Sequence, residues 1–448
     1  MRVVQALGWY YPEHLGGTEV YVAALSRRLM GAGHEVLVAS PDATHAAERT
    51  YQHDGAPVYR YPIPTAPTRA ESQGLAPVRG AERFHAWLHK LRADIVHVHS
   101  FVTGLGLHEI QAAKAAGARV IVTSHSSSLG WICQRGTMMR WGERLCDGVC
   151  ATAKCAGCAL QHRGVPRPLA RVLGTTPPAL GRAARSVPGR LGTALSMSDL
   201  IRRNQEMQRR MLALTDAFVV LTAWALEAAV ANGAPRTKLA LNRLGVSHAN
   251  AMRKPGPDER PTRIPVVVGY LGRLDAIKGV YDLARAVVSL PGDVPIRVEF
   301  RGRAASQSER AVAEKLGRLA ADDSRITFAP PVVPAEALRI LAGYDALCCP
   351  SLCLEGGPTV AIEAHAVGTP VIGTRIGGLA ELIVDGVNGR LVPPGDWRAL
   401  AGALETVARG PSETIDRWRR ALPPVRTMDE VAEEYLALYA DATGTRTG

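Results

Sequence analysis

Two acidic side chains stand eight positions apart in Glu355-Gly356-Gly357-Pro358-Thr359-Val360-Ala361-Ile362-Glu363, directly after an apolar run that reads as a buried strand. Pro358 suits the first turn of a helix, where its missing N–H would have had no intrahelical partner. Gly356 and Gly357 carry no Cβ and let a ligand approach the backbone closely. The free amides of such a helix end, which Thr359 helps to open, form an anion site together with the helix dipole. Carboxylates on either side can accept hydrogen bonds from hydroxyl groups, Glu355 before the helix and Glu363 further along it. A phosphate flanked by hydroxyl-bearing groups fits this spacing. A surface helix with ordinary acidic residues is the competing interpretation, and it leaves the glycines and the strand context without a role.

A second constellation, Gly272-Arg273-Leu274-Asp275-Ala276-Ile277-Lys278-Gly279, also follows a strand pattern. Arg grips phosphate oxygens through a bidentate fork, and Lys acts as a compact point charge. Preorganised cations aimed at charge that develops on a leaving group are among the largest catalytic contributions available. Alone this loop is weak evidence. It gains weight by lying in the same half of the chain as the acidic pair.

The N-terminal half offers less. Gly16-Gly17 sits between a strand and a helix, as a plain turn or as a close backbone approach to a ligand. His125 follows a strand over residues 119–123 and is either a satisfied polar residue or a site group. His97 and His99 fall within a strand over 94–99 and are expected to be structural. Five of the eight cysteines cluster between Cys133 and Cys158. Cys133, Cys146, Cys155 and Cys158 offer four thiolates with the two-residue gap of a zinc knuckle, and Cys150 is a fifth candidate. A structural zinc, an iron–sulfur cluster and a set of partly buried thiols all fit that pattern. No Asp-x-Asp motif lies near either loop. Arg273, Lys278 and the helix end supply compensating charge, so no catalytic metal or other cofactor is required.

The positioning elements follow from pattern and composition. A chain of 448 residues with 47% hydrophobic and 21% charged content predicts two or three globular domains. Strands over 2–7, 34–39, 94–99, 119–123, 218–222 and 238–242 alternate with helices, and the alternation restarts over 265–271, 296–301, 325–328, 346–349 and 370–373. Such βα alternation implies doubly wound parallel sheets. Helices are expected over 18–30, with Thr18 as N-cap, over 279–290, and over 428–440 with Val431, Tyr435, Leu438 and Tyr439 on one face. The expected domains are residues 1–250, interrupted by a Cys-rich and basic insertion over 130–211, and residues 262–415. A Pro- and charge-rich linker spans 248–264, and a helical segment over 416–448 packs back toward the first domain. Within the insertion, residues 161–210 carry ten arginines against Asp199 and Glu206. A mobile basic loop followed by a helix over 199–214 is one expectation for it. Contact with an anionic acceptor or membrane surface is the other. The net charge of +12 raises the chance of an anionic partner, while no aromatic-interleaved basic motif supports nucleic acid. No long apolar run or signal pattern is present, so cytoplasmic residence is expected, with a peripheral place at the inner membrane face as its variant.

These motifs resemble the family 4 retaining glycosyltransferases of GT-B fold, the "glycosyltransferase group 1" class. The resemblance covers both halves of the chain and is most specific over 265–397. It implies two Rossmann-like domains facing a cleft, and transfer of a hexosyl unit from a nucleotide-diphosphate sugar to a carbohydrate, lipid-linked or small-molecule acceptor. It matches the paired glutamates to an E-x7-E motif and implies that Glu355 binds the transferred sugar and Glu363 the ribose. It further implies that Arg273 and Lys278 grip the diphosphate, that Gly16-Gly17 is the family's glycine loop, and that His125 contacts the donor sugar near the reacting carbon. Gly377-Gly378 to Asp396 is similar to the tail of the same domain. Gly356-Gly357-Pro358 departs from the pattern, since many members place an aromatic and then glycine there. A sugar phosphorylase, a nucleotide-sugar epimerase and a non-catalytic binding subunit are the alternatives on this fold.

Overall fold

The computed structural model describes residues 1–13, 16–247 and 262–445. Most of the expected linker, and Leu15 of the glycine loop, lie outside the described residues. The chain forms two compact units: Met1–Gly136 with Asp147–Arg243 and Met428–Gly448, and Thr137–Cys146 with Leu244–Thr427.

The strands in chain order begin with β1 (Arg2–Ala6), β2 (Glu35–Asp42), β3 (Arg49–His53), β4 (Ala56–Pro62), β5 (Ile95–Val98) and β6 (Arg119–Ser124). A short pair, β7 (Met139–Arg140) and β8 (Arg144–Leu145), belongs to the second unit, and β9 (Ala217–Val220) and β10 (Leu239–Leu241) return to the first. The first unit's sheet has eight strands in the order β10-β9-β6-β5-β1-β2-β4-β3. Every neighbouring pair is parallel except β3 and β4. This β3–β4 hairpin is absent from the sequence expectation because β3 alternates half-buried and exposed residues instead of forming an apolar run. Its turn does leave a local signal: Asp54 and Gly55 both have positive φ, 49° and 81°, as an Asp-Gly hairpin turn requires.

The second unit holds β11 (Val266–Arg273), β12 (Ile296–Arg303), β13 (Ile326–Ala329), β14 (Ala346–Cys349), β15 (Val371–Thr374) and β16 (Gly389–Val392). Its six strands run all parallel in the order β13-β12-β11-β14-β15-β16. Strands β14 and β15 are buried throughout and read as short apolar runs, whereas β12 and β13 expose part of their length. In each sheet the strand order reverses beside the first strand, between β1 and β5 and between β11 and β14. Open α/β sheets place ligands outside the carboxyl ends of the strands at such a reversal. The segments carrying Gly16-Gly17, Arg273 with Lys278, and Glu355 come after β1, β11 and β14, while His125 follows β6, the neighbour of β5.

The closing helix spans Met428–Thr443, with Val431, Tyr435 and Tyr439 buried against the first unit. Residues 411–427 belong to the second unit.

The basic insertion is not a mobile loop. It folds as helices Thr152–His162, Arg167–Gly174, Pro178–Ala183, Gly189–Leu195 and Met197–Leu214. Pro168 and Pro178 occupy first-turn positions, where proline favours helix, so residues that punctuate a loop in sequence here start helices. Among the described residues no helix is long and apolar enough to cross a membrane.

Candidate active site

In the second unit, β14 ends at Cys349 and the chain turns through Glu355 into helix Thr359–Ala366. Pro358 is the N-cap rather than a first-turn residue, with φ −69° and ψ 118°, and Thr359 opens the helix. Gly357 has φ 113°, where glycine is favoured. The turn rests on Gly377-Gly378. The Gly378 amide donates to the Glu355 carbonyl at 3.0 Å, and a Cβ on Gly378 would lie 2.5 Å from Gly357 Cα. Two backbones therefore interlock where side chains are absent, which fixes Glu355 and the first-turn amides that a helix cannot bond internally.

The cation loop docks against the same strand end. Lys278 closes a 3-10 turn over Ala276–Lys278, capped by Asp275 Oδ1 accepting from the Ile277 amide at 3.1 Å. The Leu352 amide donates to the Ile277 carbonyl at 2.7 Å, joining the two loops. Lys278 Nζ lies 2.9 Å from Glu355 Oε1, and the Ser351 hydroxyl donates to that same oxygen. Desolvation alone would lower the Lys278 pKa, and the Glu355 carboxylate outweighs it and holds the ammonium above its ordinary value. Arg273 is 56% exposed and reaches Glu309 Oε1 at 3.1 Å and Asp275 Oδ2 at 3.4 Å. Glu309 also accepts from the Ser306 and Ala305 amides as part of a capping box. Those amides, with Arg273, hold its pKa below the ordinary carboxylate value. Glu309 is a positioning residue that sequence reasoning missed. Its signal was Ser306-x-x-Glu309, a capping box that gives no hint of a partner in another loop.

Glu363 does not join this network. It is half-buried on the helix, and desolvation raises its pKa to about 7. Below the ordinary value of 4.5 the folded and unfolded chains are both protonated there and nothing is lost. Between 4.5 and about 7 the unfolded chain releases its proton first, so stability falls as pH rises. Glu363→Gln is therefore expected to gain about 1–3 kcal/mol relative to the parent between pH 5 and pH 8. Urea unfolding at the two pH values measures this, and a difference independent of pH would refute it.

In the first unit, helix Gly17–Gly31 has Gly16 as its N-cap, so Thr18 lies inside the helix instead of capping it. Gly16 and Gly17 are both exposed. Strand β6 extends to Ser124 and presents His125 directly beyond it. His125 Nε2 lies 3.0 Å from His99 Nδ1, and His99 Nε2 lies 2.6 Å from Gln5 Oε1. With the Gln5 oxygen as acceptor, His99 carries its proton on Nε2, its Nδ1 accepts from His125, and His125 keeps Nδ1 as a lone pair. Burial lowers the His125 pKa to about 4, so the ring is neutral near pH 7. Tyr21 packs edge-on against it at 4.8 Å between centroids. The sequence expectation for His97 and His99 divides here. His97 is structural, tied to Tyr439 and Thr123 at 2.6 and 2.7 Å. His99 lies one residue past β5 and orients the His125 ring. His99→Leu is expected to lower kcat about tenfold while donor KM stays within about twofold, because a neutral contact loses its orientation rather than its binding surface. An unchanged kcat in a folded variant would remove His99 from the site. A cavity of about 490 Å³ opens beside His125, lined also by Trp131, Gln134 and Asn204.

Two family descriptions match this chain, "Glycosyltransferase Family 4" over residues 15–174 and "Glycosyl transferases group 1" over residues 265–409. The chain is a group 1 glycosyltransferase. Among its relatives is a D-inositol 3-phosphate glycosyltransferase of Acidothermus cellulolyticus, 28% identical over 96% of this chain and 87% of that one. A second protein of that name, from Corynebacterium urealyticum, is 39% identical over 39% of each chain. The fold is that of sucrose-phosphate synthase from Thermosynechococcus elongatus, with TM-score 0.66, 18% identity and 100% of both chains covered. Anabaena HepE in complex with UDP-glucose is also similar, with TM-score 0.62, 14% identity, and 98% and 99% covered. The GT-B architecture follows.

The expected thiolate knuckle of this glycosyltransferase is not assembled. Among the described residues no group of three or more His, Cys, Asp or Glu side chains is placed to hold a metal ion. None of the eight cysteines is in a disulfide. Cys155 and Cys158 lie one turn apart inside helix Thr152–His162 rather than on a knuckle turn, Cys146 follows β8 in the second unit, and Cys133 lies in a turn of the first. Cys155 pairs instead with Cys150, the residue left over in the four-thiolate assignment. The Cys150 thiol donates to it and holds the Cys155 thiol below its ordinary pKa.

Proposed function

We propose that this enzyme transfers a hexosyl unit from a nucleotide-diphosphate sugar with retention of anomeric configuration, as family 4 members do. The observation that carries this is the Lys278–Glu355 pair at the N-terminal end of helix Thr359–Ala366, with Arg273 in the adjoining loop. The diphosphate takes Lys278, Arg273 and the helix amides, and the sugar hydroxyls take Glu355 from the opposite side of the turn. Glu363, one turn further along, receives the ribose hydroxyls. The family resemblance implies the donor phosphates as the ligand of Gly16 and Gly17, and the sugar near the reacting carbon as that of neutral His125. The cationic groups stabilise the negative charge that grows on the departing phosphate, and a phosphate oxygen accepts the acceptor's proton.

The cavity beside His125 supports an uncharged polyhydroxylated acceptor. Trp131 and Phe101 rings lie 4.4 Å apart at its wall, an apolar face for a sugar ring, while Gln134, Asn204 and several serines offer hydrogen bonds. None of its lining residues is Lys or Arg, in contrast to what a phosphorylated acceptor of the kind named for the inositol phosphate relatives would require. The test is a thermal-shift panel of UDP, GDP and ADP, followed by turnover of the matching nucleotide sugars with neutral and phosphorylated acceptors. Release of free nucleoside diphosphate and a product anomer matching the donor support the reading. A phosphorolysis or epimer product refutes transfer, and absence of any nucleotide binding identifies a lapsed scaffold.

A further inference from the structure

The helices of the basic insertion are built inside out. In Arg167–Gly174 the buried positions are Ala170 and Gly174, while Leu169 and Val172 are 50% and 68% exposed. In Pro178–Ala183 the buried residue is Gly181, and Leu180 is 63% exposed. In Gly189–Leu195 the buried residue is Gly192, and Leu191 is 64% exposed. Contact excludes a side chain at Gly174 and Gly192 and leaves little room for one at Gly181. A Cβ on Gly174 would lie 2.7 Å from the Gly157 nitrogen, one on Gly181 3.1 Å from Asp199 Cβ, and one on Gly192 1.8 Å from the Val187 carbonyl oxygen. The usual amphipathic rule, large aliphatics inward, is inverted three times in succession. Three of the four most exposed large aliphatic side chains among the described residues lie here.

The charge pattern is equally one-sided. Between Asp147 and Asp199 the chain has Lys154 and six arginines and not one acidic residue. Asp199 is buried and used inward, accepting from Arg185 at 2.6 Å and Arg203 at 3.1 Å. Arg171, Arg182 and Arg190 are exposed on the same helices as the outward aliphatics. Aliphatic side chains that enter an acyl boundary while neighbouring arginines meet phosphate headgroups are the signature of an interfacial helix.

We infer that residues 167–195 form a monotopic docking face for an anionic lipid bilayer, through Leu169, Val172, Leu180 and Leu191 with Arg171, Arg182 and Arg190 around them. Charge complementarity selects this occupant over a second copy of the chain, whose identical face would repel. It selects it over nucleic acid because aliphatic rather than aromatic side chains accompany the arginines. The inference does not depend on which nucleotide sugar is used. Nor does it require a spanning helix.

Sedimentation of the full chain with vesicles tests it, using phosphatidylcholine alone and phosphatidylcholine with about one-third phosphatidylglycerol. The expected result is at least tenfold tighter binding to the anionic vesicles, weakened by salt. The quadruple variant Leu169→Ser, Val172→Ser, Leu180→Ser and Leu191→Ser, and the pair Arg182→Glu with Arg190→Glu, each reduce binding about tenfold or more. All of these positions are exposed, so the melting temperature stays near that of the parent. Nucleotide thermal shift should be unchanged in both variants, which separates a failed docking face from a failed donor site. Equal binding to both vesicles, no binding to either, parent-like binding by the quadruple variant, or retention of a single-stranded oligonucleotide without vesicle binding would overturn the assignment.

Discussion

Lys278→Ala should lower kcat/KM by about two to four orders of magnitude, the largest loss expected from a single side chain of this enzyme. Lys278 Nζ sits 2.9 Å from Glu355 Oε1 in the resting protein. On the proposed function, donor binding exchanges part of a preformed ion pair for contacts to phosphate and sugar, and removing the lysine takes away the charge proposed to lie nearest the departing diphosphate. Arg273 remains, and its guanidinium is held by Glu309 at 3.1 Å, so it cannot simply move across. Lys278→Arg should recover only part of the activity, because a planar fork does not reproduce a compact ammonium in a half-buried site. Glu355→Ala should also be severe. The double variant should fall about as far as the worse single one, since the two side chains act as one unit. Steady-state rates with product quantified as free nucleoside diphosphate measure all four. Activity of Lys278→Ala within about threefold of the parent would remove the pair from the chemistry.

The second large effect is expected from a residue with no side chain. Gly279 has φ 71°, and an added Cβ would lie 1.8 Å from the Pro350 carbonyl oxygen. Gly279→Ala must therefore push the Lys278 loop away from the end of β14 and also hold alanine in a left-handed conformation that itself costs about 1 kcal/mol. A destabilisation of about 2–4 kcal/mol is expected, with a tenfold or greater loss of activity in the folded fraction as Lys278 moves off Glu355. Gly292→Ala is the control, because nothing lies within 4 Å of a Cβ placed there. Denaturant unfolding of the two variants decides the matter. Similar midpoints for both would mean that the Gly279 contact is readily relieved.

Much of the second unit was legible in the amino-acid order. Glu355, the glycines, Pro358 and Glu363 occupy one local segment, and so do Arg273 and Lys278, so spacing along the chain is close to spacing in the fold. The shift of the helix start from Pro358 to Thr359 is a matter of one residue. The helix expected over 199–214 is present as Met197–Leu214, while the loop expected before it is helical for a definite reason. Proline, glycine and arginine punctuate loops in sequence, but Pro168 and Pro178 start helices here and Gly174, Gly181 and Gly192 let those helices pack. The thiol cluster failed similarly, because Cys155-Ala156-Gly157-Cys158 reads as a knuckle only if its backbone is a turn, and the backbone is helical.

What the sequence determined by itself was chemical type: a helix end with glycines before it, paired carboxylates and two cations, each following a strand of a doubly wound sheet. Those features rest on residue identity and local periodicity, which neighbours in the chain carry. Tertiary structure alone decided the partnerships: Lys278 with Glu355, Arg273 with Glu309, His125 with His99 and Gln5, and Cys155 with Cys150. It also decided which side of the insertion's helices faces outward. The first three of these join residues from separate loops or strands, which the register of a parallel sheet brings together. The thiol pair is local, and it depended on a helical backbone that the Cys spacing did not disclose. The outward aliphatics depended on glycine contacts that leave no periodic mark in the sequence.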